Sequence, residues 1–318
     1  MKKRIIFYIL LAASVVLIFL SQKLAPSLKS VTITDCFDTV TEITVYSRSE
    51  KPIKDCEKYL YSAEKMFSAT NPEAEIYRIN HGENVDLSDD TKEIIELGKT
   101  FTEQNSDYFS IYLNPLSEAW DIKNNSGVIP DITDAMQEVR EKKSINLGAV
   151  AKGYAADKLC SILRKDGITS AMLSLGGNAY AIGKKPTGES WKIGIQSPKD
   201  ESKIVGIISA ENLAVVTSGD YQRYFELNGV RYHHIFDPKT GYPANNGLHS
   251  VTVVGENAAL CDALATTAFV SGLKDGQELL KKYNVRGIFI TDDSVYFSKS
   301  LENIFKQTDF SYKYEFIY

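Results

Sequence analysis

The amino-acid sequence predicts an α+β chain with mixed sheets and packed helices, preceded by one N-terminal transmembrane helix. Three observations carry that prediction. Strand-like runs pair around hairpin signals such as Asn228-Gly229 and Asp292-Asp293 more often than they alternate strictly with helices, which favours α+β over a doubly wound sheet. A few longer segments carry apolar residues at helical spacing. The chain opens with Met-Lys-Lys-Arg and then Ile5–Leu20, apolar apart from Ser14.

As a helix that apolar run would span about 24 Å, against a hydrocarbon core of about 30 Å. Snorkelling by Lys23 would close the gap. The basic start is expected to stay cytoplasmic and to send the rest outside, as a single-pass protein of the cytoplasmic membrane. No Ala-x-Ala cleavage site follows, so residues 1–22 read as an uncleaved anchor in preference to a removed signal peptide. Residues 23–30 read as a polar linker. Residues 31–318 show no repeat, low-complexity tract or further linker and read as one catalytic unit.

Within that unit the elements follow in order. Val31–Tyr46 alternates around Thr, Ile and Val and reads as a strand. Ile53–Ser68 has helical spacing, and Asn71-Pro72 makes a turn. Ser88-Asp89-Asp90-Thr91 opens a helix to about Asn105, with early acids suited to its N-terminus. Gly148–Asp166 reads as a helix and Ala171–Ile182 as a strand broken by Gly-Gly. Trp191–Gln196, Ile204–Ser209 and Ala214–Thr217 are strand-like. Tyr221–Leu227 and Val230–Ile235 form a hairpin, and His249–Val254 is a further strand. Asp262–Ser271 and Asp275–Tyr283 read as helices, and Gly287–Thr291 with Ser294–Ser298 as a last hairpin. The aromatics of the tail from Leu301 to Tyr318 suggest that it packs on the domain.

Composition narrows the function. A net charge of −5 over 318 residues gives no sign of a nucleic-acid binder. Cys36, Cys56, Cys160 and Cys261 fit no zinc spacing and are expected as buried free thiols. Chemistry concentrates in four places. Ile145–Tyr154 crowds small residues at a helix start, where free N–H groups and Lys152 favour an anion, or where helix and sheet pack tightly. Ser174–Asn178 holds a Gly-Gly that suits a bulge or a close ligand. The Val216–Tyr221 turn could bind phosphate or ribose, or be an ordinary turn. His233 and His234 precede the turn Asp237-Pro238-Lys239-Thr240-Gly241, and a histidine there could be a general base or a bonded turn residue. Asp262 and Thr266, four apart on one helix face, suit a hard cation such as Mg²⁺, or a helix cap with a packed threonine. Tyr108, Phe109, Tyr112 and Trp120 surround Asn114-Pro115-Leu116 and would wall a flat-ring pocket or fill a core.

Each pattern alone is weak, but their order and wording together are specific. Ile145–Asp157, Leu175–Asn178, Trp191–Pro198, Thr217–Tyr221, His234–Pro243, Ser250–Val253 and Asp262–Thr266 together resemble the ApbE family. Its members are flavin transferases that move FMN from FAD onto a threonine of a target protein. The resemblance covers roughly residues 31 to 300 and implies the ApbE-like fold. It implies that Asp262, Thr266 and the Ala149 carbonyl hold Mg²⁺. It assigns FAD contacts to Asn146, Lys152, Phe236 and the turn Thr217, Ser218, Gly219 and Asp220, with Phe37 touching the flavin. Tyr108, Phe109, Ser110 and Asp237 complete the expected FAD set. His234 would accept the proton of the incoming threonine hydroxyl. The implied partners are FAD and an extracytoplasmic FMN-accepting redox protein. Three positions depart from the family pattern. Asn146 stands where aspartate is frequent, Thr70 where a tyrosine is usual, and Ala265 where some members have a further aspartate. The last makes a single metal the expectation. Two other readings of the same residues are an FAD pyrophosphatase and a non-catalytic FAD-binding surface protein.

Overall fold

The computed structural model describes residues 26–125 and 127–318. The expected anchor, residues 1–22, lies outside the described residues. Among those described, no helix is long and apolar enough to cross a membrane. The expected linker ends sooner than predicted, because Ser27–Ser30 already belong to the first strand.

The strands β1 (Ser27–Cys36) and β2 (Thr39–Ser47) replace the single strand expected over 31–46. They join through Phe37 and Asp38, which take left-handed φ values of 56° and 52°. No Asn-Gly or Asp-Gly pair marks that turn, so alternation alone ran through it. The helices α1 (Lys51–Phe67), α2 (Glu75–Asn80), α3 (Asp89–Gln104), α4 (Asn114–Trp120), α5 (Thr133–Arg140) and α6 (Ala151–Lys165) follow. The short helices α2, α4 and α5 lack a long apolar period and were not predicted. Ser88 caps α3 by accepting from Thr91 N–H, as its acidic first turn led one to expect.

Next come β3 (Ala171–Leu175) and β4 (Asn178–Ile182), turned by Gly176 and Gly177 at φ 57° and 88°. The Gly-Gly break is therefore a two-residue hairpin turn, which needs positive φ at both positions. Strands β5 (Trp191–Ser197), β6 (Asp200–Ala210), β7 (Leu213–Gly219), β8 (Tyr224–Leu227), β9 (Val230–His233) and β10 (Ser250–Gly255) follow. Helix α7 (Ala258–Lys282) is interrupted at Gly272, φ 81°, ψ 176°. Asn257, not Asp262, caps it by accepting from Leu260 N–H. The chain ends with β11 (Arg286–Ile290), β12 (Ser294–Ser298), β13 (Phe305–Gln307) and β14 (Lys313–Ile317).

Among the described residues, nine strands form one sheet in the order β1-β2-β3-β4-β7-β10-β11-β12-β14. Its neighbours are antiparallel except the parallel pair β12–β14, so the sheet is mixed. One face carries Ile43, Leu173, Leu175, Val216, Val253 and Phe289 and packs on α1, α6 and α7. The other face carries Ala181, Val215, Val254 and Ile288 and packs on the small sheet β13-β6-β5 through Ile193, Ile195 and Ile208. The tail thus closes both sheets. A third cluster joins α4 and α5 to Phe236 through Leu116, Trp120 and Met136. All four cysteines are buried and free.

Helices α6 and α7 meet at Gly153. A Cβ there would stand 2.3 Å from the Ala258 carbonyl oxygen and 2.8 Å from Ala259 Cα. Asp157, one turn on, accepts the Ala258 and Ala259 N–H groups at 3.0 and 2.9 Å and so pins the first turn of α7 against α6. Replacing a helical glycine by alanine normally gains about 0.5–1 kcal/mol. Here the added methyl meets backbone, which cannot rotate away, so Gly153→Ala is expected to lose about 1–3 kcal/mol net. Urea denaturation of wild type and variant measures this, and an unchanged midpoint would contradict the close crossing.

Candidate active site

The crossing at Gly153 builds the centre of the site. Gly153 N–H donates to Asp262 Oδ2 at 2.9 Å. In an uninterrupted helix that N–H would go to the Ala149 carbonyl. Among the described residues no backbone N–H donates to that carbonyl, so its oxygen is left open at the helix start. Asp262 is 3% exposed and its other oxygen accepts from Asn178 Nδ2 at 2.9 Å. Burial raises its carboxyl above the ordinary carboxylate range, only partly offset by the Lys152 charge and the Gly153 and Asn178 donors. One turn on, the Thr266 hydroxyl lies 3.2 Å from that of Ser218. Asn178 also accepts from Thr217 N–H at 3.3 Å, tying β4 and β7 to the carboxylate. Ala149 O, Asp262 and Thr266 thus offer three hard oxygens. Among the described residues no three His, Cys, Asp or Glu side chains converge. The donor set suits a cation completed by waters and phosphate oxygens, as Mg²⁺ is, and does not suit zinc.

The anion-facing half lies at the start of α6. Asn146 Oδ1 accepts from Gly148 N–H at 2.8 Å and its Nδ2 donates to Ser117 at 3.1 Å, so its amide orders the loop. The Lys152 ammonium donates to the Gly148 carbonyl at 3.2 Å and forms no salt bridge with the described carboxylates. Strand alternation separates two residues of the 217–220 turn. Ser218 faces α7, whereas the Thr217 hydroxyl lies 2.8 Å from Thr252 on the other face of the sheet. Thr217 can therefore meet a ligand on the α7 side only through its backbone. Gly219 leaves room for the Tyr221 ring, 2.6 Å from where a Cβ would stand. Asp220 accepts from Arg231 at 3.0 Å and bonds His249 Nδ1 at 2.8 Å, and His249 Nε2 reaches Asp292 at 3.0 Å.

The two histidines divide their roles. His233 is buried, its Nε2–H donates to the Ala244 carbonyl at 2.8 Å, and its Nδ1 accepts from Ile235 N–H. Both ring nitrogens are used and the residue is structural. His234 is only partly covered and its Nδ1–H donates to the Arg223 carbonyl at 3.3 Å. Its Nε2 is left with a lone pair. Burial, then the charges of Arg223, His233 and Lys152, hold its imidazole well below the ordinary histidine range, so it is neutral near pH 7.

Several expected FAD contacts are otherwise engaged. The Phe109 ring is 2% exposed and packs edge-on against Phe101, so it belongs to the core and has no free face for a flavin. The Phe236 ring is 5% exposed and stacks on Trp120, so it shapes the base-bearing turn from within. Trp120 Nε1–H donates to the Gly241 carbonyl at 2.9 Å, and Asp237 Oδ1 accepts from Lys239 N–H at 2.8 Å. The aromatics at 109 and 120 are thus core, the alternative left open by their spacing. Ser110 accepts from Tyr112 N–H, and the Tyr108 hydroxyl donates to Asp275 while Lys239 sits over its ring. Phe37 is partly buried at the β1–β2 tip, where its N–H donates to Glu64 at 2.8 Å. Sequence reasoning missed Asn178 and Asp157 as partners of α7. Both lie inside quoted motifs, but the partner of each is more than eighty positions away and no local spacing shows it.

Fold and site define an α+β protein whose buried carboxylate and open carbonyl face a cationic helix start beside a neutral histidine. Comparison with known sequences agrees: the model of the ApbE family matches residues 37–289, and the chain belongs to the ApbE family. An FAD:protein FMN transferase of Klebsiella pneumoniae is 30% identical over 274 residues, covering 78% of this chain and 85% of that protein. Another from Treponema pallidum is 32% identical over 237 residues, covering 63% of this chain and 65% of that protein. The ApbE protein of Thermotoga maritima superposes with a TM-score of 0.78 at 27% identity, covering 89% of this chain and all of that one. The flavin transferase ApbE of Vibrio cholerae shares the fold, with a TM-score of 0.76 at 23% identity.

The Asp220–His249–Asp292 chain makes a pH prediction. The hydrogen bond to Asp220 raises the imidazole above the ordinary histidine value of 6.5, burial opposes this, and Asp292 helps. A raised folded value means that the stabilisation is fully present below about pH 6.5 and is lost as pH rises through the folded value. His249→Gln should therefore flatten the fall in stability of the wild type on that alkaline side. Thermal unfolding across the range checks it, and parallel pH curves would contradict a charged His249.

Proposed function

We propose that this chain transfers FMN from FAD to a threonine hydroxyl of a target flavoprotein, forming a phosphoester and releasing AMP. The observation that carries the reading is His234, held by its Nδ1–H to the Arg223 carbonyl with its Nε2 open, beside a site that holds Lys152 and the buried Asp262. The names of the relatives support the transferase class. His234 Nε2 takes the proton of the attacking hydroxyl. The hydroxyl oxygen bonds the FMN-side phosphorus, and the bond to the AMP oxygen breaks. Lys152 at the start of α6 holds the diphosphate oxygens in line. Ala149 O, Asp262 and Thr266 would hold Mg²⁺, which when bound supplies charge neutralisation on the diphosphate. Phosphoryl transfer asks mainly for such positioning, so the flavin ring need not react.

We also propose that the chain is anchored in the cytoplasmic membrane by Ile5–Leu20 and acts outside it, on an extracytoplasmic FMN-carrying redox protein. The basic Met-Lys-Lys-Arg start supports that orientation.

The test incubates the protein with FAD, Mg²⁺ and an FMN-domain acceptor, and looks for fluorescent flavin that stays on the acceptor through denaturing electrophoresis. His234→Ala should lower the transfer rate by about 10²–10⁴-fold while FAD binding persists. Transfer that survives this change would remove the base assignment. AMP and free FMN without acceptor labelling would identify a hydrolase instead. Mg²⁺ is expected to raise the melting temperature of the wild type and to leave that of Asp262→Asn unchanged. An equal rise in both would remove the metal assignment.

A further inference from the structure

Arg223, on the connection between β7 and β8, plays no part in the assignments above, yet it touches two parts of the site. Its carbonyl accepts both the N–H of His234 at 3.2 Å and that residue's Nδ1–H at 3.3 Å. Its guanidinium donates to the Asp38 carbonyl at 3.0 Å. Asp38 and Phe37 form the β1–β2 tip, both in left-handed backbone that side chains other than glycine adopt at a cost of about 1–2 kcal/mol each. Such strain persists only where neighbours hold it. Here Glu64 holds Phe37 N–H, Lys123 pairs with the Asp38 carboxylate at 3.1 Å, and Arg223 holds its carbonyl.

The charge of Arg223 is the second clue. The bond to Asp38 uses one of the five N–H donors of a guanidinium. Among the described residues Arg223 has no carboxylate partner, and neither does Lys152. Lys123, Lys158, Lys239 and Arg231 all have one. Both unpaired cations act on His234. Arg223 is also exposed, so its remaining donors are accessible. Two uncompensated cations flanking one neutral base leave a local excess of positive charge that an anion can neutralise, and a guanidinium fork suits phosphate oxygens.

We propose that Arg223 is the second cation for the ligand's diphosphate, acting opposite Lys152, and that it carries the β1–β2 tip and the His234 loop into register around the bound dinucleotide. This rests on the reading of the site as an FAD site. It adds a ligand-binding residue and a link between the flavin end and the base.

The experiment measures FAD binding to the full chain by fluorescence over a range of ionic strength, for wild type, Arg223→Gln and Arg223→Lys. Arg223 is exposed, so the variants should fold, and circular dichroism checks this. Loss of a charge-assisted bond to phosphate should weaken FAD binding at low salt by roughly ten- to a hundredfold in Arg223→Gln. The salt dependence should flatten in that variant and be retained in Arg223→Lys, because screening acts only on the charge that is present. Weaker binding with an unchanged salt slope would mean that Arg223 acts only as scaffold, and would overturn the inference. So would unaltered binding in Arg223→Gln. A wild type that does not bind FAD would overturn the FAD reading and this inference with it.

Discussion

The structure depends on one close contact, the approach of α7 to α6 at Gly153. No Cβ fits between that residue and the Ala258 carbonyl. Because the helices come so close, a carboxylate on the second turn of α7 reaches the N–H of Gly153. That single hydrogen bond does two things. It satisfies a donor at the start of α6 that would otherwise be unpaired, and it leaves the Ala149 carbonyl without its helical partner. The ligand-facing oxygens and the packing therefore share a cause. Asp157 makes the arrangement rigid by holding the first N–H groups of α7.

Around that contact, the charges are arranged so that the buried groups are not left alone. Asp262 is almost fully covered, and a bare carboxylate there would be costly. Gly153 N–H, Asn178 and the Lys152 charge each favour its ionised form. The same Lys152 charge disfavours protonation of His234. Lys152 thus opposes the burial that raises the Asp262 carboxyl and adds to the burial that lowers the His234 imidazole. The Trp120 cluster keeps the turn after His234 in place through the bond to Gly241 and the stack on Phe236.

Most of the fold could be read from the chain where a local rule operates. The helices with long apolar periods and the Asn228-Gly229 hairpin lie close to where spacing and turn chemistry put them. The short helices did not show, since six to eight residues give too little period. The Phe37-Asp38 turn did not show because Phe37 is not a residue that favours positive φ, although Asp38 tolerates it. For the site, residue types and order were informative, but facing directions were not. Ser218 and Thr217 are neighbours in sequence and point to opposite layers, which needs the register of β7. Phe109 and Phe236 look like ligand aromatics in sequence, yet the rings are core. The cap of α7 lies at Asn257, five residues before Asp262, and that shift moves Asp262 from a capping position to a buried second-turn position.

The central claim is that the Gly153 contact turns Ala149, Asp262 and Thr266 into one cation site. The most direct measurement is a crystal structure grown with Mn²⁺ in place of Mg²⁺, with the ion located by its anomalous scattering. The account predicts a peak at about 2 Å from the Ala149 carbonyl, an Asp262 oxygen and the Thr266 hydroxyl. An ion bound elsewhere, or an Ala149 carbonyl found accepting the Gly153 N–H in a regular helical bond, would contradict it.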